Sequence, residues 1–295
     1  MTAAHHLWRP ASGCGPDCLP RPGEVPTVPV ARRLVRLVGV LGMLAAGAGL
    51  AALLPALPAE ARRSAVRRWA RGTARACGVR LVVRGRLPRR RALVVANHLS
   101  WLDILAVLAV APARMLAKRE VRDWPLIGLL AAAAGALFVD RARPRALPAT
   151  VARVAAALRA GHPVAVFPEG TTWCGVLPGC RPGGGFRPAV FQAAVDAGAP
   201  VVPVRIGYRL AGAAPDPTTA PGFLGDESLG RSVWRVLGAR GLTAEVTVAA
   251  ALHPGAGADR RLLARAAEAA VRLPMPRPAA APPAPTLRVG VGLAA

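Results

Sequence analysis

The 295-residue chain has few acids, few aromatics and almost no lysine. Asp and Glu number 15 against 39 Lys and Arg, for a formal net charge of +24. Such a charge suits nucleic acid, an anionic membrane or acidic small molecules. Aromatics are only 4%, with a single tyrosine, which weakens a nucleic-acid reading built on base stacking. No nucleic-acid-binding motif is present either, so nucleic acid is not an expected partner. Lys118 is the only lysine. The wider excess of Arg, Ala, Gly and Pro also fits genome composition, so part of the charge carries no message. Cysteines are few and scattered: Cys14, Cys18, Cys77, Cys174 and Cys180. An odd, dispersed set is no disulfide framework, and reduced thiols facing the cytoplasm are expected. Cys14 and Cys18 follow His5 and His6, but the spacing fits no familiar zinc pattern. No metal site is expected in the core.

Hydrophobic residues are plentiful, at 53%, and mean hydropathy is +0.37. Residues 1–30 are rich in Pro, Gly and Cys and read as a disordered tail. Leu37 to Ala59 then run uncharged for 23 residues, about 35 Å as a helix, which is enough to cross a bilayer core. A spanning or re-entrant anchor is the main expectation. An interfacial helix pair and a buried core helix are the alternatives, since Pro55 and Pro58 bend the end of the run. Arg32, Arg33 and Arg36 precede it, and a heavier group from Arg62 to Arg75 follows it. The positive-inside tendency then puts the rest of the chain on the cytoplasmic side of the cell membrane. Ala61 to Ala76 reads as a basic helix with Trp69 suited to a headgroup interface; a plain solvated helix face is the other reading.

Beyond this 31–78 region the pattern changes. Short β-branched runs recur at Leu81–Val83, Leu93–Val95, Leu137–Val139, Val164–Phe167, Val201–Ile206 and Val246–Val248. Helical stretches lie between several of them, at Trp101–Val110, Ala146–Ala160 and Arg260–Val271. The alternation predicts an α/β domain over 79–273 with a mostly parallel sheet flanked by helices. Residues 274–295 are Pro/Ala-rich and read as a loose tail.

Four stretches carry candidate chemistry. In "VVANHLSWLD", residues 94–103, a strand ends at Asn97-His98. Ser100 and Asp103 have capping-box spacing, so a helix is expected to start near Ser100. Asp103 is then a first-turn acid favoured by the helix dipole. It can equally fix the tautomer of His98 and stabilise its imidazolium, making His98 a general base toward an alcohol. No G-x-S-x-G elbow is present to carry a covalent serine intermediate, so direct attack by a bound hydroxyl is the economical route. In "FPEGTTWCG", residues 167–175, a second strand ends in Phe167-Pro168-Glu169-Gly170. Loops at parallel-strand C-termini gather in one crevice, so Glu169 and His98 are expected to share it. Glu169 either holds a substrate hydroxyl or is a polar turn residue, and Gly170 lets backbone approach an oxyanion. Lys118, Arg119, Arg122 and Arg141 offer cations for phosphate. Gly183 to Gly185 offer a second possible phosphate cradle without a P-loop's Lys-Ser/Thr ending, with Arg187 just ahead of a helix.

In order, N-H-x-x-x-x-D, K-x-E with a downstream G-x-x-F-V-D-R, F-P-E-G-T and V-P-V resemble the glycerolipid acyltransferases, and most the 1-acylglycerol-3-phosphate acyltransferases, over roughly residues 80–250. The resemblance implies transfer of an acyl group from acyl-CoA or acyl carrier protein to a lysophospholipid hydroxyl at a membrane, giving phosphatidic acid and needing no cofactor. It implies that His98 is the base and Asp103 its partner. Phe167, Pro168, Glu169, Gly170 and Thr171 match the acceptor-binding motif. Lys118 and Arg141 fall in the block tied to acceptor phosphate, and Arg187 falls where many members are basic. One departure concerns Thr172, where lysophosphatidic acid acyltransferases commonly have arginine. Lyso-ornithine lipid acyltransferases resemble this "EGTT" form, so a different lysolipid is the alternative acceptor.

Overall fold

The computed structural model describes residues 12–88, 91–175, 180, 185–212 and 217–273. Its sheet has seven strands: β1 (Arg80–Arg84), β2 (Leu93–Ala96), β3 (Arg114–Lys118), β4 (Leu137–Val139), β5 (Val164–Val166), β6 (Val201–Leu210) and β7 (Leu242–Val248). Their order is β1-β7-β6-β2-β5-β3-β4. Every pair is parallel except β6 with β7. Six of the strands lie where β-branched runs predict them. The other, β3, reads Arg-Met-Leu-Ala-Lys and has no β-branched residue, so its pairing to β5 and β4 rather than propensity makes it a strand.

Strand alternation sorts the core into two faces. Val94 and Ala96 of β2 point with Val204, Ile206 and Tyr208 of β6 into a cluster built on helix α3 (Leu102–Val110). Leu93 and Val95 point the other way. They meet Val154 and Leu158 of α5 (Leu147–Arg159), Phe191 of α6 (Phe191–Ala197) and Leu263 of α8 (Arg260–Arg272). The central strand β2 is buried on both faces, as a parallel strand between helical layers must be.

The apolar N-terminal run forms α1 (Val30–Leu53) and a short turn through Ala56, and its most apolar 18-residue stretch has a mean hydropathy of 2.2. This is long and apolar enough to cross a membrane. It does not stand alone. Helix α2 (Ala59–Ala76) turns back after Pro58 and packs antiparallel on α1. Two glycines allow the approach, since a Cβ on Gly47 would lie 2.7 Å from Trp69 Nε1 and one on Gly72 would lie 2.9 Å from Met43. Trp69 is therefore no headgroup residue here. Its indole donates to the Met43 carbonyl at 2.7 Å, satisfying inside the hairpin the polar atom that would otherwise seek an interface. The arginines expected ahead of the run lie within α1. Arg36 donates to the Leu237 and Ala239 carbonyls at 2.8 Å each. Arg33 stacks 4.7 Å from the ring of Trp234 on α7 (Leu229–Gly238). Helix α4 (Ile127–Ala133) packs against α1, whose Val35, Val38 and Leu41 remain exposed.

The expectation of a disordered tail fails for residues 12–29. Cys14, Cys18 and Val28 are buried. Val28 N donates to Gly238 O at 2.9 Å, and Arg240 N to Pro26 O at 2.7 Å. The segment is short of core-forming residues, but its cysteines and valine find an apolar floor made by distant elements. Nor do the cysteines stay scattered. The sulfurs of Cys14, Cys18, Cys174 and Cys180 all lie within 4.8 Å of one another. Residues 1–11, with His5 and His6, and the 274–295 tail lie outside the described residues.

Candidate active site

Strands β2, β5, β3 and β4 are parallel neighbours, so their C-terminal ends open in a row. Asn97-His98 follow β2, Phe167 to Gly170 follow β5, Lys118 ends β3, and Arg141 lies just past β4. Strands sit about 4.8 Å apart, so the row is roughly 14 Å long.

Where β2 stops, Asn97 extends the sheet with its side chain. Its amide nitrogen donates to Ile206 O and its oxygen accepts from Ile206 N, both at 2.8 Å. This pins the chain as it turns to His98. The turn then closes around Asp103. One carboxylate oxygen, Oδ2, accepts from Leu99 N at 2.7 Å and Ser100 N at 2.8 Å, and pairs with His98 Nδ1 at 2.9 Å. The other, Oδ1, accepts from the Tyr208 hydroxyl at 2.5 Å. Asp103 serves the turn in two ways. It reaches back to the Ser100 amide as a capping box requires, and it holds the imidazole. The helix starts two residues later than expected, at Leu102.

Asp103 is fully buried, whereas 18% of the His98 side chain is exposed. With Nδ1 directed at the carboxylate, the ring carries its proton there, and Nε2 is the nitrogen left to accept one. Phe167 lies flat against the imidazole, with centroids 4.0 Å apart and planes 10° apart. The ring is held in orientation on one edge and one face.

Glu169 meets the same turn from the other loop. His98 N donates to its Oε2 at 2.8 Å, and Trp173 N donates to His98 O at 2.7 Å. The loops after β2 and β5 are thus stitched through both backbone groups of His98, its N–H to a side chain and its carbonyl to a backbone amide. Burial pushes the Glu169 carboxyl up to about 8, against the pull of the His98 amide, and the nearby Asp103 adds to the rise. Gly170 takes a φ of +79°, which turns the chain away from the sheet, and its carbonyl accepts from Arg141 Nη1. Burial lowers the Arg141 pKa, Glu120 opposes this, and the charge of Arg187 lowers it further. Arg187 is exposed, and its amide donates to Pro168 O at 3.0 Å. Two cations therefore flank the Phe167–Gly170 turn.

The remaining candidates stand apart from this knot. Lys118 ends two strands from β2, roughly 10 Å away by strand spacing, and lies 5.5 Å from the Trp124 ring. Thr171 is half-buried in the turn. Thr172 donates its hydroxyl to the Phe223 carbonyl, and Phe223 N returns to Leu99 O at 2.9 Å. That position is a structural tie in this chain. Gly183 and Gly184 lie outside the described residues. Gly185 is occupied otherwise than by a phosphate, because the Glu268 carboxylate sits 2.1 Å from where its Cβ would be and accepts from Phe186 N at 2.9 Å.

Sequence reasoning misses Tyr208 and the structural part of Asn97. For Tyr208 a signal existed. It is the chain's one tyrosine, in the register of Val204 and Ile206 on a core strand, and a buried phenol must find a partner.

The description "Acyltransferase" belongs to the family model that matches residues 79–207. The 1-acyl-sn-glycerol-3-phosphate acyltransferase of Neisseria meningitidis is 34% identical over 72% of this chain and 81% of its own length. The lyso-ornithine lipid O-acyltransferase of Pseudomonas aeruginosa is 42% identical over 65% of this chain and 70% of its own. In fold, the chain is similar to the crystal structure of the 1-acyl-sn-glycerophosphate (LPA) acyltransferase PlsC from Thermotoga maritima. The TM-score is 0.57 at 18% identity, covering 81% of this chain and 92% of that one.

Proposed function

The chain belongs to the Acyltransferase family of O-acyltransferases, and on that premise we propose that it acylates the free hydroxyl of 1-acylglycerol-3-phosphate through His98 and Asp103. The observation that carries this reading is the buried carboxylate at 2.9 Å from His98 Nδ1, with the other ring nitrogen left to accept a proton. Nε2 takes the proton of the acceptor hydroxyl as its oxygen attacks the thioester carbonyl of acyl-CoA or acyl carrier protein. The imidazolium that forms is stabilised by Asp103, whose carboxylate is held by four donors. Backbone amides of the two strand-end loops stabilise the tetrahedral oxyanion. Collapse expels the thiolate, which takes the proton from His98. The ester is formed and the base is restored.

Arg141 and Arg187, beside the Phe167–Gly170 turn, are the cations assigned to the acceptor phosphate, with Lys118 further along the strand ends. Thr172 takes no part in this, since its hydroxyl is used on Phe223. The helical hairpin is assigned to the membrane from which the lysolipid enters, with the catalytic loops on the cytoplasmic side. The boundaries of that hairpin and of the catalytic unit are taken as residues 31–78 and 79–273.

A second acceptor, a lyso-ornithine lipid, is favoured by the 42% identity to the Pseudomonas relative and by the committed hydroxyl at Thr172. Purified protein in mixed micelles, given labelled acyl-CoA and each lysolipid in turn, separates the two. Preference for 1-acylglycerol-3-phosphate supports the phosphate assignment of Arg141 and Arg187. Preference for the ornithine lipid replaces it. Transfer surviving His98→Ala would refute the general-base reading for either acceptor.

A further inference from the structure

Four of the chain's five cysteines converge on one point. They come from two places far apart in sequence: Cys14 and Cys18 from the N-terminal segment, Cys174 and Cys180 from the loop after β5. Their sulfurs lie within 4.8 Å of one another. No disulfide joins them, and the sulfurs of Cys18 and Cys180 are 3.5 Å apart, well beyond the ~2.05 Å of a sulfur–sulfur bond. Three of the four residues are buried, against Leu224 and the partly buried Leu19 and Trp173.

We propose that Cys14, Cys18, Cys174 and Cys180 bind one zinc ion as a closed tetrathiolate site. A tetrahedron with Zn–S bonds of about 2.3 Å has its sulfurs about 3.8 Å apart. The observed 4.8 Å limit asks each sulfur to move by roughly half an ångström. The run His5-His6-Cys14-Cys18 matches no zinc pattern and predicts no core metal site, but the pair Cys14-x3-Cys18 taken alone falls within the usual knuckle spacing, and Cys174-x5-Cys180, which the fold brings to it, is one residue longer. The surrounding geometry suits a thiolate. Cys174 N donates to Cys14 Sγ at 3.3 Å, the kind of outer hydrogen bond that orients a ligand and offsets its charge. Gly175 follows Cys174 at a φ of +66°, letting the backbone curl round the sulfur. The chain after Cys14 turns likewise, with Cys18 N donating to Gly15 O at 3.0 Å. Zinc and iron both accept four thiolates in a tetrahedron; zinc is the assignment because four sulfurs this close enclose a single ion and the acyl transfer proposed above moves no electrons. On binding, four thiols release four protons to give a dianionic centre, which a chain of net charge +24 tolerates.

The site would give the acceptor loop a second anchor. Cys174 follows Trp173, whose amide holds the His98 carbonyl. Cys18 belongs to the segment bonded to Gly238 and Arg240 near α7. The ion is thus a staple between the N-terminal segment and the strap around His98, and it takes no part in the transfer of the acyl group.

Metal content of the full chain, purified in detergent with reductant and without chelator, tests this directly. Mass spectrometry of the metals should find about one zinc per chain. Cys14→Ser/Cys180→Ser should fall below about one tenth of that, while Cys77→Ser, whose thiol is buried elsewhere in the core, should keep it. Because the serine variant can fail by misfolding, the wild-type chain exchanged with cobalt gives a second reading. It should show the intense ligand-field absorption of tetrahedral Co²⁺ with thiolate charge transfer. Wild-type protein without stoichiometric metal and with all thiols alkylatable overturns the proposal. So do mapped disulfides among the four cysteines, stoichiometric iron in place of zinc, or equal loss of zinc in Cys77→Ser. None of these readouts depends on acyl transfer.

Discussion

Tyr208→Phe isolates the part of the site that only the fold supplies. The phenol donates to Asp103 Oδ1 at 2.5 Å, and both side chains are shut off from solvent, at 1% and 0% exposure. Burial, then the charge of Asp103, holds the Tyr208 pKa well above the usual phenol value, so the hydroxyl stays protonated and is the donor. Phenylalanine keeps the ring and its packing, leaving no large cavity. What is lost is one hydrogen bond to a buried carboxylate, worth about 1.5–3 kcal/mol of folding stability. The three donors on Oδ2 remain, so His98 keeps its partner while the carboxylate loses one of its two fixed edges. If 1–2 kcal/mol of that orientation is expressed in the transition state, kcat falls about 5- to 30-fold. KM for the acyl donor should not change. Urea unfolding in micelles, followed by tryptophan fluorescence, reads the first quantity, and turnover of a labelled acyl thioester reads the second. Tyr208→Phe with unaltered stability and unaltered kcat would mean that the phenol does not hold Asp103, and the account of a clamped carboxylate would fall.

Three further outcomes follow from the same geometry. His98→Ala should lower acyl transfer about 100-fold or more in folded protein, as loss of a general base does; circular dichroism confirms the fold. Glu169 has a folded pKa of about 8 against an ordinary 4.5, so the folded state binds more protons than the unfolded one between those values. Its stabilising contribution is whole below about 4.5 and is lost as pH rises through about 8. Unfolding midpoints measured across that window should decline in wild type, and Glu169→Gln should remove that share of the slope. A slope unchanged by the substitution would exclude Glu169 as its source. Arg141→Ala should raise KM for the lysolipid by about tenfold, roughly one charge-assisted hydrogen bond, with KM for acyl-CoA unaltered. Equal weakening of both substrates would argue for a general loosening of the Gly170 turn.

The α/β class, six of the seven strands, and the meeting of His98, Asp103 and Glu169 at neighbouring strand ends are legible in the amino-acid sequence. Those features rest on local physics: β-branched runs make strands, a parallel sheet gathers its strand-end loops, and capping-box spacing places Asp103 in a first turn. Strand β3 escaped because Arg-Met-Leu-Ala-Lys has no strand preference of its own and is recruited by its neighbours on both sides. Tertiary structure alone decided the rest. It put Tyr208 on an oxygen of a residue 105 positions away, turned Trp69 into the hairpin, and spent the Thr172 hydroxyl on Phe223. It also drew four cysteines spread over more than half the chain into one cluster. Spacing along a chain predicts partners only within a turn or a strand. Partners brought together by loop closure leave no local period to read, because the free energy that joins them comes from burying surfaces elsewhere in the fold.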